Sequence, residues 1–293
     1  MERQIAYLGP RGTNTEEAAR FLFQEKTDEF CPYRTIPDCL EAVAEGKVSF
    51  AVVPWENSIE GSVNLTLDWI THKVDLPILG EIIIPIYQHL FTARREEKME
   101  FHTIKKVLSH PQAIAQSHDY LRKHLPHAEI EYVSSTAEAA RLVSEHTEEP
   151  WAAVAAMQAH DVYPISLLQG HIEDTQNNFT RFILVGNKQV RLPESKSSKT
   201  TILVTLPSDF PGALHQVLAA FSWRRINLSR IESRPTKTGL GNYHFIVDIE
   251  QKMDDVLLPG AFAEMEALRC QVRILGTYPV YQKQENETTL PIK

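Results

Sequence analysis

Residues 172–186 read IEDTQNNFTRFILVG. A polar run closes on Asn177, Asn178, Phe179, Thr180 and Arg181 and passes without a break into the apolar strand Phe182–Val185. Threonine is a good strand former, and an arginine there often marks a solvated edge. One reading is therefore a strand that starts at the surface. The other is a binding site, because ligands in open α/β sheets collect at the loops joined to the strand ends. The rest of the chain has to decide between them.

The 293 residues suffice for about two domains at the usual ~100–200 residues each. Hydrophobic residues make up 43% and charged ones 23%, the balance of an ordinary globular protein. A net charge of -8 argues against a nucleic-acid binder, which needs a basic face. A small anionic ligand stays open, since a few local donors outweigh a distant net charge. Cys31, Cys39 and Cys270 are scattered and form no C-x-x-C pair, which points to reduced thiols and a cytoplasmic protein. No apolar run approaches the ~18 residues of a membrane span, and MERQIAYLGP has no signal-peptide core. The 12 histidines show no metal-ligand spacing, so no metal site is expected.

The chain alternates strand and helix. IAYLG reads as a buried strand, PRGT as a turn, and NTEEAARFLF as a helix with Thr13 and Glu16 in capping-box spacing. IPDCLEAVAEGKV is a helix closed by Gly46, and SFAVVP a strand. A second α/β segment begins with the strand-like EIIIPIYQHLFT and continues through the helix PQAIAQSHDYLRKHL, the strand EIEYVSS, the helix TAEAARLVSEH and WAAVAAMQAHDVY. This order predicts two α/β lobes, roughly 1–78 with 165–187 and 79–164, with a cleft where the chain crosses between them.

Residues 188–198 are polar and aperiodic and read as a linker. Residues 199–281 then give strand, helix, two strands, helix, strand: the βαββαβ order of a ferredoxin-like unit. A small domain of this kind on a larger α/β body suggests an enzyme with a regulatory module. Residues 282–293 read as a frayed polar tail.

Several short polar clusters fall where strands meet helices. GPRGT (9–13) opens a helix, and WENSIEGSV (55–63) groups Glu56, Asn57, Ser58 and Ser62 around Gly61 just past a strand. SHPQAIAQ (109–116) puts Ser109 at a helix start and Gln116 two turns in; SSTAEAA (134–140) is another hydroxyl-bearing helix start. Each has a plain alternative as an N-cap or a turn. Together they suit a carboxylate ligand, because helix starts supply N–H groups and positive dipole ends without many lysines. In the small domain PGAL (211–214) opens a helix and ESRP (232–235) ends a strand.

Taken in order, GPRGT, ENSIEGSV, SHPQAIAQ, STAEAA and NNFTRF resemble the motifs of prephenate dehydratases. PGALHQVLAAFSWRRINLSRIESRP resembles the phenylalanine-binding ACT domain attached to them. The resemblance covers roughly residues 3–281, and no chorismate mutase helical domain precedes it, as in the monofunctional bacterial form. Ile114 stands where leucine is common, and DVYPISLLQG varies a segment where YGL is usual. The resemblance implies a two-lobed periplasmic-binding-protein-like catalytic domain (1–187) plus a ferredoxin-like ACT domain. It implies conversion of prephenate to phenylpyruvate with loss of carbon dioxide and water, feedback by L-phenylalanine, and a homodimer or homotetramer.

That chemistry needs a donor at the departing hydroxyl and anchors for carboxylates. Thr180 is the first candidate donor and Glu56 its rival as an acid. Arg181 could hold a carboxylate or brace the loop. Asn57, Ser109 and Gln116 are expected to orient the substrate, with Thr13, Ser58 and Thr136 as further contacts and Phe182 packed beneath. The expected effector set is Gly212, Ala213, Leu214, Glu232, Ser233 and Arg234. No metal or organic cofactor is required. An arogenate dehydratase and a non-catalytic cytosolic amino-acid sensor are the competing readings.

Overall fold

The computed structural model describes residues 3–94, 99–208, 210–239 and 241–284. The first lobe runs β1 (Arg3–Leu8), α1 (Asn14–Leu22), β2 (Asp28–Tyr33), α2 (Ile36–Ala44), β3 (Phe50–Asn57), β4 (Gly61–Ser62), α3 (Asn64–His72) and β5 (Ile78–Pro85). Helix α1 starts where Thr13 Oγ1 accepts the Glu16 N–H, while the Glu16 carboxylate reaches back to the N–H of Gly12 rather than that of Thr13. Thr35 caps α2 in the same way. β2 is an edge strand, which is why it tolerates Pro32.

The second lobe holds β6 (His89–Ala93), β7 (Lys106–Ser109), α4 (Pro111–Gln116), α5 (His118–His124), β8 (Glu129–Tyr132), α6 (Thr136–Glu145), β9 (Trp151–Ala155), α7 (Ala159–Val162) and β10 (Ile165–Gln169). Its strands form one sheet in the order β10-β6-β9-β7-β8. The chain returns to the first lobe as β11 (Phe179–Gly186), antiparallel between β3 and β5.

The lobe boundaries expected from sequence shift at both crossings. EIIIPIYQHLFT is two strands in two different sheets, and the first crossing lies between Pro85 and His89 instead of at 79. The return lies between Gln169 and Phe179, because β10 pairs with β6 in the second sheet. An apolar run cannot say which sheet it joins; strand pairing decides. The single helix expected over 111–125 is likewise broken, at Ser117, a fully buried residue between α4 and α5.

The C-terminal domain is β12 (Ser197–Thr205), α8 (Ala213–Ser222), β13 (Leu228–Pro235), β14 (Tyr243–Ile249), α9 (Leu257–Ala267) and β15 (Gln271–Gln282), the ferredoxin-like order. Its helices cover one sheet face through Ile202, Val204, Val217, Phe221, Val247 and Met265. The opposite face, through Leu203, Ile246 and Leu275, merges with the core of the first lobe. The expected tail beyond Gln284 lies outside the described residues.

The two domains share one sheet. Val280–Gln282 of β15 pairs in parallel with Glu81–Ile83 of β5, which gives a ten-stranded sheet from β13 at one edge to β2 at the other. Both faces of its middle strands are buried, so β3 and β11 read as continuous apolar runs instead of alternating ones. The seam is tight at Gly276, where a Cβ would stand 2.2 Å from the Ile78 carbonyl oxygen. Gly276→Ala should therefore push β15 off β5. Such overpacking costs about 1–3 kcal/mol, readable as a lower urea midpoint; an unchanged midpoint would mean that the seam yields freely.

Candidate active site

β3 and β11 end side by side at the cleft, with Thr180 opposite Asn57 and Arg181 opposite Glu56. The register slips between Arg181 and Phe182, so β3 carries an extra residue at Trp55. Bulges of this kind re-aim side chains next to sites. Asn57 sits at the centre. Its Oδ1 accepts the backbone N–H groups of Ile59 and Glu60, at 3.0 and 3.1 Å. Those two donors fix which end of the amide is oxygen. The Nδ2 must then donate, and it lies 2.9 Å from Thr180 Oγ1 and 2.8 Å from Asn178 Oδ1.

The polarity propagates. Since Asn178 accepts from Asn57, its Nδ2 donates, to Gln116 Oε1 at 3.0 Å. Gln88 Nε2 donates to the same oxygen at 3.0 Å. A continuous hydrogen-bond chain thus runs from β11 and β3 of the first lobe to α4 of the second. Two of its groups donate to nothing among the described residues. Thr180 Oγ1 accepts from Asn57, so its own hydrogen is uncommitted among the described residues. Gln116 Nε2 is buried and without a partner among them.

The other expected residues take distinct places. Ser58 Oγ donates to Asn177 O and accepts the Phe179 N–H, pinning the loop that feeds β11. Phe182 is 2% exposed in the core beneath. Ser109 is fully buried at the end of β7 and donates to Val154 O at 2.6 Å; the cap of α4 is His110 instead, through Nδ1. Thr13 uses its hydroxyl hydrogen on Leu8 O. Thr136 is the first residue of α6, whose cap is Ser135. The Thr13 turn closes on the second lobe, where Tyr163 Oη donates to Arg11 O.

Arg181 is committed to carboxylates. Its Nη1 lies 2.6 Å from Glu56 Oε2, and its Nη2 lies 2.7 Å from Glu81 Oε2 and 2.8 Å from Asp248 Oδ2. Glu81 and Asp248 are fully buried. Lys199 holds the other oxygen of Glu81, and Thr201, itself bonded to Tyr278, holds the other oxygen of Asp248. Burial alone would lower the pKa of Arg181, but the charges of Asp248 and Glu81 and their hydrogen bonds raise it above its ordinary value. Glu56 has Arg181 on one oxygen and Arg230 Nε 3.6 Å from the other.

A cavity of about 400 Å³ opens beside Gln116, lined by Ile59, Glu60, Ala115, His118, Asp119, Asp174 and Thr175. Thr180 does not line it, and three of its lining residues, Glu60, Asp119 and Asp174, are carboxylates. Sequence reasoning gave no role to Asn178, Gln88, Glu81 or Asp248. Asn178 stood inside the quoted motif. The other three carried no local signal, because only tertiary packing brings them to Gln116 and Arg181.

The effector candidates fall on two elements. Gly212, at φ 89°, precedes α8, with Ala213 buried and Leu214 half-buried. Glu232, Ser233 and Arg234 lie on β13, the outer edge of the large sheet. Glu232 accepts from Ser62 Oγ, and Arg234 grips Asp68 and Asn64 of α3, while Ser233 is exposed.

Fold and site together define a two-lobed α/β body with a polar site between its lobes and a ferredoxin-like domain continuous with its sheet. Residues 5–190 match the prephenate dehydratase family and residues 200–258 the ACT domain. The prephenate dehydratase of Bacillus subtilis strain 168 is 47% identical over 285 residues, 95% of this chain and 99% of that protein. The crystal structure of prephenate dehydratase in complex with L-Phe from Arthrobacter aurescens superposes with a TM-score of 0.83 at 35% identity, over 94% of this chain and 89% of that one. That of Staphylococcus aureus Mu50 gives 0.80 at 34%, over 94% and 99%. This chain belongs to the prephenate dehydratase family.

Removing one partner of the buried cluster leaves charge uncompensated. Asp248→Asn should destabilise by about 3–5 kcal/mol, measured by chemical denaturation; a loss under about 1 kcal/mol, the surface-pair range, would show that water relieves the cluster. His89 supplies a pH dependence. Burial, and then His171, pushes its imidazole down to about 4. The unfolded imidazole gains a proton from about pH 6.5 downwards and the folded one only near pH 4, so stability is lost as pH falls through that window. The contribution approaches about 3 kcal/mol, and His89→Gln should flatten the stability profile between those pH values.

Proposed function

We propose that this chain converts prephenate to phenylpyruvate in L-phenylalanine synthesis, with L-phenylalanine as its feedback effector. In the reaction the ring carboxylate leaves as carbon dioxide and its electron pair enters the ring. The ring hydroxyl leaves from the far side of the diene and takes up one proton to become water. Aromatisation drives the process, so the barrier lies in hydroxide departure. The observation that carries the reading is the fixed polarity of Asn57: it turns Thr180 into an acceptor on the protein side and a donor towards the substrate. A threonine hydroxyl is a weak acid, so its role is to stabilise the leaving oxygen by a hydrogen bond. Gln116 Nε2 is the second free donor, suited to a carboxylate or to the same oxygen.

Glu56 has both oxygens facing arginines, which favours a bracing role over that of proton donor. Arg181 is likewise a brace, since its Nη atoms are already shared among three carboxylates. N–H groups at the starts of α1 and α6 can hold a substrate carboxylate. For regulation, Gly212–Leu214 and Glu232–Arg234 are the effector-binding segments. The free edge of β13, with Ile231 42% exposed, supports pairing of two copies through their sheets, in a homodimer or homotetramer.

The test is turnover of prephenate and, separately, of arogenate by the purified protein. Thr180→Ala should lower kcat at least a hundredfold, the range set by loss of one preorganised donor, about 2.7–4 kcal/mol. Thr180→Ser should retain much of the activity. Preference for arogenate would shift the substrate assignment, and an active Thr180→Ala enzyme would sink the donor assignment.

A further inference from the structure

β13 lies against the catalytic lobe along one face. Residues 230, 232 and 234 share that face, since side chains alternate along a strand, and each makes a polar contact with the segment from Glu56 to Asp68. Ser62 is the meeting point. Its hydroxyl donates to Glu232 Oε2 at 2.7 Å and accepts from Arg230 Nη2 at 2.6 Å, so both its hydrogen-bonding roles with the ACT domain are filled. Arg230 is 6% exposed, lies 5.5 Å over the Trp55 ring, and faces Glu56. Arg234 adds two bonds to Asp68 Oδ1, at 3.0 and 2.7 Å.

Ser62 belongs to the hairpin that carries the key amide. In the pairing of β3 with β4, Ser62 stands opposite Glu56 and Gly61 opposite Asn57. The turn of that hairpin supplies the Ile59 and Glu60 N–H groups that set the polarity of Asn57. A change at Ser62 therefore reaches Thr180 through one short hairpin.

We propose that Ser62 is a positioning residue through which Arg230 and Glu232 of the ACT domain hold Asn57, and with it the donor hydroxyl of Thr180, in working geometry. This rests on the dehydratase reading above and extends its regulation. An amino-acid effector whose ammonium group claims the Glu232 carboxylate takes it from Ser62. The clamp opens, the hairpin loosens and turnover falls. The inhibited state is then one in which Ser62 has lost its acceptor, Glu232.

Ser62→Ala should imitate that state. The expected result is a kcat lowered about three- to tenfold with KM unchanged, together with faster amide hydrogen exchange at Ile59 and Glu60. Added L-phenylalanine should inhibit the variant by a smaller factor than it inhibits the wild type. Ser62→Thr, which keeps the hydroxyl, should restore kcat and slow exchange. A Ser62→Ala enzyme with wild-type kcat and wild-type exchange at Ile59 and Glu60 overturns the inference, whatever phenylalanine does. A wild type that turns over prephenate but ignores phenylalanine removes the effector reading alone, and the kcat, exchange and rescue measurements still decide the positioning role.

Discussion

The guanidinium of Arg181 joins parts of the chain far apart in sequence. It meets Glu56 from β3, Glu81 from β5 and Asp248 from the ACT domain. Taking such charges out of water offsets much of their attraction, so the cluster adds little net stability relative to an apolar core. What it adds is uniqueness. Fully buried Glu81 and Asp248 accept only an arrangement in which Arg181, Lys199 and Thr201 are all in reach. That arrangement fixes β11 against β5 and β3 and docks the ACT domain on the same sheet. Thr180 is the next residue along β11, so the site inherits its rigidity from the charges beneath it.

The cleft end of the strand depends on direction as well as position. A hydroxyl that both donates and accepts has no preferred role until a neighbour assigns one. Two backbone N–H groups orient Asn57, Asn57 orients Thr180 and Asn178, and Asn178 orients Gln116. The chain also spans the cleft, so polarity on one lobe becomes polarity on the other. Lobe closure and donor orientation are in this sense one structural fact.

Much of this was written locally. The apolar runs, capped helix starts and βαββαβ order pointed to the two-lobed body and the small domain, and the resemblance of NNFTRF and ENSIEGSV to family motifs singled out Thr180 and Asn57. Local pattern is enough there because helix caps and strand periodicity are short-range effects. It failed where partner choice matters. The run 81–92 belongs to two sheets, the helix after Pro111 breaks at buried Ser117, and the N-cap before it is His110. Thr13 and Ser109 spend their hydroxyl hydrogens on backbone carbonyls, a fact that no residue type announces.

The sequence by itself determined the alternating α/β character, the domain order and the residues at the mouth of β11, because these follow from periodicity, turn chemistry and motif spacing. Only the tertiary structure decided what Arg181 does. A guanidinium beside a cleft can hold a ligand or hold the protein, and its nearest partners come from positions 56, 81 and 248. Long-range strand pairing, with β15 laid against β5, brings those three carboxylates to one point.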